Sequence, residues 1–121
     1  NEELPWLIGP KGQAPQVLQA YHEMLPLFEE MDAVLEQLQL NDLGSWRARL
    51  DSGAVIELGH GSRAEVQARA RRFVDTVTQV SSRFGRDVES ADLRYVSGYA
   101  LKLRGVTTGE IADKDDKKKK R

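Results

Sequence analysis

The residues able to do chemistry are few, and their spacing does not assemble them. His22 and His60 are the two histidines, and neither is followed at metal-ligand spacing by a second histidine. There are no cysteines, which removes disulfides, thiolate nucleophiles and cysteine-ligated metals. Ser62 lies close to His60, as a nucleophile and base would. It also opens the run Ser62-Arg63-Ala64-Glu65, a capping box in which hydroxyl and carboxylate satisfy each other's backbone amides, and that role accounts for it. Glu29, Glu30 and Asp32 sit at the end of a helical pattern, where acids oppose the helix dipole, so solvation or pairing with basic residues elsewhere is expected. The glycines of LIGPKG lack the spacing and Lys-Ser ending of a phosphate loop. No catalytic site, metal or cofactor is expected. Arg63, Arg69, Arg71, Arg72, Arg83 and Arg86 would make an anion-binding ridge on a second helix, but a solvated polar face explains them without a ligand.

Composition narrows the class further. The 121 residues carry a formal charge of -1, against a nucleic-acid platform, and 40% hydrophobic content suits one domain with one core. No apolar run approaches the roughly 20 residues of a membrane-spanning helix. The chain begins without methionine and is expected to be a fragment, with any targeting or anchoring segment outside it. Residues 105–121 end in KKKKR amid aspartates and lack apolar content to offset the entropy of ordering, so a disordered, solubilising tail is expected after a domain spanning 1–104.

The elements that must position any site follow from periodicity. Dense Pro and Gly make the first fifteen residues extended. Leu18, Tyr21, Leu25 and Phe28 recur at helical spacing from Gln16 to about Met31, with a kink or break expected at Pro26. Ala33 to Leu40 reads as a strand. SWRARLDSGAVIELG reads as a hairpin, with Trp46, Ala48, Leu50, Ala54, Ile56 and Leu58 on one face and Arg47, Arg49 and Glu57 on a wet one. Val66, Ala70, Phe73, Val74, Val77 and Phe84 predict a long helix from Ser62 to Phe84, stopped by Gly85. The stretch ADLRYVSGYALKLRG alternates in twos: Ala91, Leu93 and Tyr95 share a face, Ser97-Gly98 turns, and Tyr99, Leu101 and Leu103 return. It echoes the first hairpin at matched Arg, Ser, Gly and Leu positions, which is attributed to shared turn chemistry. The fold class expected is α+β, a mainly antiparallel sheet with two helices packed on one side and an exposed final strand. A strand at a sheet edge offers unpaired backbone groups to another chain.

Four segments in order carry a resemblance: LPWLIGPKGQAPQVLQAYHEM, SWRARLDSGAVIELG, RARRFVDTV and ADLRYVSGYALKL. Together they resemble the periplasmic β domain of the FtsQ/DivIB cell-division family, over roughly residues 4 to 104. The resemblance implies a non-enzymatic module of a single-span inner-membrane protein, with a POTRA domain before it, on the periplasmic side of the membrane at the division septum. It implies FtsB and FtsL-type partners, a role in assembling the divisome that licenses septal peptidoglycan synthesis, and a partner strand added along the last strand. Carried onto this chain, the partner-binding residues are Arg94, Tyr95, Gly98, Tyr99, Ala100, Leu101, Lys102 and Leu103. Tyr95 would be an aromatic anchor, Arg94 would meet an acidic side chain, and Tyr99 and Leu101 would give apolar contact if they face the edge rather than the core. The family's last strand often ends in Trp where this chain has Leu103. The alternatives are another periplasmic POTRA-associated interaction module in secretion or assembly, and a hydrolase built on His60 and an acid.

Overall fold

The computed structural model describes residues 5–96 and 98–105; the expected tail from 106 onward and the Ser97 half of the expected turn lie outside the described residues. The chain order is β1 (Trp6–Ile8), α1 (Ala14–Glu29), β2 (Leu35–Leu40), β3 (Ser45–Leu50), β4 (Val55–His60), α2 (Arg63–Phe84), β5 (Val88–Asp92) and β6 (Ala100–Leu103). The six strands of the described residues form one sheet in sequence order, which leaves β1 and β6 as its edges among those residues.

Five strand pairings build the sheet. β2 with β3, β3 with β4 and β5 with β6 are antiparallel, whereas β1 with β2 and β4 with β5 are parallel. The sheet is therefore mixed: three of its five pairings are antiparallel, as the expected mainly antiparallel sheet requires, and two are parallel, which the sequence pattern does not show. The cause lies in the helices: each long helix joins two strands of the same direction, and parallel neighbours need such a crossover. α1 packs on β1 and β2, α2 packs on β4, and the helices touch each other.

Local chemistry explains the element ends. α2 starts on its capping box, with the Glu65 N–H donating to Ser62 Oγ at 3.1 Å and the Ser62 N–H donating to Glu65 Oε1 at 2.8 Å. It stops at Gly85, whose φ of 63° takes the left-handed conformation that costs glycine little. α1 begins two residues before the expected Gln16 and runs through Pro26 without a break; it ends at Glu29, so little helix remains after the proline. Asp51-Ser52-Gly53 makes the β3–β4 turn as expected, closed by the Gly53 N–H on the Leu50 carbonyl at 2.8 Å.

The core contains Phe28, Phe73, Met24, Leu38, Leu50, Ile56, Leu58 and Leu93, all inaccessible, and no buried residue among those described is polar or charged. Trp46, Ala48 and Leu50 alternate with exposed Arg47 and Arg49 along β3, so one sheet face is apolar and the other wet. Arg47 bridges Glu57 across that wet face at 2.6 Å.

Candidate functional site

The last hairpin is built differently from its sequence pattern. Its first arm is Val88–Asp92, three residues earlier than expected, and Tyr95 falls in the connection to β6. Ala91 and Leu93 do face the core, at 4% and 1% exposure, but Tyr95 is 55% and Val96 98% exposed. The chain leaves the strand because the Asp92 side chain accepts the Arg94 N–H at 3.1 Å, a local turn that competes with the ladder. Tyr95 is thus no core residue, and its ring is free for contact.

Among the described residues β6 pairs with β5 on one side only. Two observations fix which of its backbone groups are open. The Arg104 N–H donates to the Asp87 carbonyl, and the Leu93 N–H points the other way, to the Glu57 carbonyl of β4. Alternation along each strand then turns the amides of Ala100 and Lys102 toward β5 and those of Leu101 and Leu103 toward the open edge. The side chains of Leu101 and Leu103 point into the core, at 3% and 0% exposure, while Ala100 and Lys102 lie half-buried on the wet face. Leu101 faces the core, so the condition set for its apolar contact is not met and it offers backbone at the edge.

The strand is held where it is by the residue that precedes it. Tyr99 packs edge-to-face on Phe73 of α2, with ring centroids 5.1 Å apart, and its hydroxyl hydrogen-bonds Thr76 Oγ1. Gly98, at φ 94°, supplies the left-handed residue just before it. On the wet face a shallow trough of about 310 Å³ runs over β4, β5 and β6, lined by Val55, Glu57, Ser90, Ala100 and Lys102. Lys102 reaches Glu89 at 3.3 Å, an exposed pair of little energetic weight.

Arg94 is committed within the chain. Its Nε donates to Asp92 Oδ1 at 2.8 Å and its Nη2 to Asp92 Oδ2 at 2.7 Å, a bidentate fork. Those hydrogen bonds, helped by the Arg94 backbone amide and opposed by partial burial, hold the Asp92 carboxyl below the usual carboxylate range. Its folded pKa is depressed, so the stabilisation is present above about pH 4, where an unfolded aspartate is ionised, and fades as pH falls through the lowered folded value. An NMR titration of the Asp92 carboxyl carbon should show this low midpoint, rising to the ordinary range in Arg94→Ala; equal midpoints in both proteins would contradict the fork.

The other residues weighed from sequence are dispersed. His22 sits beside Tyr21 with ring centroids 5.6 Å apart, His60 ends β4 exposed, and Ser62 is engaged as the helix cap. The arginines of α2 do not form one ridge: Arg63 faces Glu23 at 3.4 Å, Arg71 binds Glu30 and Asp75, and Arg69 donates to the carbonyls of Leu58 and His60. The Arg71 fork lowers the Glu30 carboxyl, the pairing expected for that acid. Among the described residues no cluster of three or more His, Asp or Glu could hold a metal, and no helix is long and apolar enough to cross a membrane. Asp92, Gly59 and Thr76 are the neighbours of the site that sequence reasoning missed; the Asp-x-Arg spacing was the readable signal for the first.

A six-stranded α+β domain with a short, one-sided terminal strand now has relatives to set beside it. Residues 1–94 match the model of the C-terminal domain of cell division protein FtsQ/DivIB, and the chain belongs to that family. That match ends at Arg94, before β6 begins. The chain is 38% identical over 104 residues to cell division protein FtsQ of Thiomonas arsenitoxydans, covering 85% of this chain and 38% of that protein. It is 33% identical over 118 residues to the FtsQ of Burkholderia pseudomallei, covering 97% and 47%. With the FtsQ of Vibrio cholerae it shares 38% over 101 residues, covering 84% and 37%. The chain thus spans less than half the length of these relatives.

Proposed function

We propose that this chain is a scaffold domain of the divisome that takes a strand from an FtsB or FtsL-type partner onto β6. The observation that carries the reading is the open side of β6, where the amides of Leu101 and Leu103 face away from β5. Family membership supports the cell-division setting. In this reading the whole protein is anchored in the inner membrane, with this domain on the periplasmic side at the septum, and supports control of septal peptidoglycan synthesis without catalysing it. The domain is taken as residues 1–104 with a charged tail after it, both helices covering the apolar sheet face. The binding surface is then backbone from Gly98 to Leu103, flanked by the exposed Tyr95 ring, with Tyr99 holding the strand in place.

Tyr95 is 55% exposed and has no hydrogen bond or ring contact among the described residues, and a buried aromatic anchor is where an interface concentrates its energy. Tyr95→Ala should weaken binding of a peptide from the periplasmic end of the organism's own FtsB-type protein by at least tenfold, with thermal unfolding within about 2 °C of wild type. Calorimetric titration and a melting curve measure both. Unchanged affinity would remove Tyr95 from the site, and affinity for an outer-membrane barrel substrate with none for the FtsB-type peptide would select a secretion or assembly module instead.

A further inference from the structure

Gly59 ends the regular part of β4 at a register shift, with a φ of 84°. Arg69 of α2 donates to the carbonyls on either side of it, at 2.9 Å and 2.6 Å. The space where a side chain would stand is filled: a Cβ on Gly59 would come within 2.9 Å of Arg94 Cγ. The Arg94 stem therefore lies flat on the glycine, and its head is gripped by both oxygens of Asp92. Nη1 and the second Nη2 hydrogen have no hydrogen-bond partner among the described residues, although the Glu57 carboxylate lies near enough to act on the guanidinium electrostatically. β5 stands between β4 and β6, so the seat on Gly59 is set back from β6 by two strand spacings, about 10 Å.

We propose that Asp92 and Gly59 are positioning residues, a seat that fixes the Arg94 guanidinium so that its free N–H groups form a preset donor for an acceptor on the chain added to β6. The inference rests on the strand-addition reading. A partner that uses both features has to turn across the end of the sheet after leaving the edge, because a straight strand on β6 does not pass over β4. A free arginine on an exposed loop would have to be ordered on binding; here the ordering is done in the folded chain, which favours affinity. The fork also cancels the arginine charge, so recognition at this corner depends on donor placement more than on net charge.

Asp92→Asn separates these effects, since the amide oxygen keeps the turn to the Arg94 N–H while the charged fork is lost. In titrations with the FtsB-type peptide, Asp92→Asn should bind about three- to tenfold more weakly than wild type, with a steeper salt dependence because Arg94 is no longer neutralised. In an Arg94→Ala background the same change should have no effect. In the absence of peptide, the Arg94 Nε–H signal should exchange slowly with water in wild type and fast in Asp92→Asn. Equal or tighter binding by Asp92→Asn, with β6 still protected by peptide, overturns the seat and leaves strand addition standing. If wild type takes no peptide while the Nε–H stays protected, strand addition fails and the seat presents its donors to nothing, which overturns the proposal as well. An Nε–H signal identical in the two proteins overturns it directly.

Discussion

Phe73→Ala should lower the free energy of unfolding by about 3–5 kcal/mol, the range for emptying a fully buried aromatic site. Phe73 is inaccessible, stands at the middle of the apolar stripe of α2, and is the ring on which Tyr99 packs. The loss has two parts. Removing the ring opens a cavity between α2 and the sheet, and it takes away the edge-to-face partner of the residue that leads into β6, worth about 0.5–1.5 kcal/mol beyond its area. Urea unfolding followed by circular dichroism measures the total, and amide exchange should show β6 loosening more than β3. A loss below about 1 kcal/mol would mean that the helix is not seated on the sheet through this residue.

Leu103→Trp tests a difference between this chain and the FtsQ/DivIB pattern, in which the last strand often ends in tryptophan. Leu103 has no exposure, and its β5 neighbour is Val88 at the one irregular step of that pairing. A larger ring there has to displace core neighbours, at about 1–3 kcal/mol. The variant should unfold at lower denaturant and bind the FtsB-type peptide no more tightly. Unchanged stability with tighter binding would show that position 103 can turn its side chain to the partner, and would move the aromatic anchor from Tyr95 to the end of β6.

How much of this was readable differs by element. α2 was legible to the residue because three independent signals agree: the capping box, the apolar stripe and Gly85. The β3–β4 hairpin was legible because strict alternation meets turn chemistry at Asp51-Ser52-Gly53. β1 was invisible, since three residues are too few to show a period. The parallel pairings were missed because they depend on where a helix delivers the next strand, which no local pattern encodes. β5 was placed too late for a physical reason: the register shifts between Val88 and Ser90, so Glu89 breaks the alternation and the pattern re-emerges only at Ala91. Tyr95 then looked like a strand residue, although the Asp92 turn had already ended the strand. Edge position, on which the whole site depends, is a property of the assembled sheet. The Arg94 fork was local enough to read, two residues from its acid, but its seat on Gly59 brings together positions 35 apart in the chain.

The most direct test of strand addition is residue-resolved amide exchange on this chain, with and without the FtsB-type peptide. Ala100 and Lys102 already donate toward β5 and should be protected in both states, whereas Leu101 and Leu103 should exchange fast alone and slow by tenfold or more when peptide is bound. That alternating response is the signature of a strand on the open edge of β6. Leu101 and Leu103 amides that are protected without peptide, or that remain fast in a saturated complex, would contradict it.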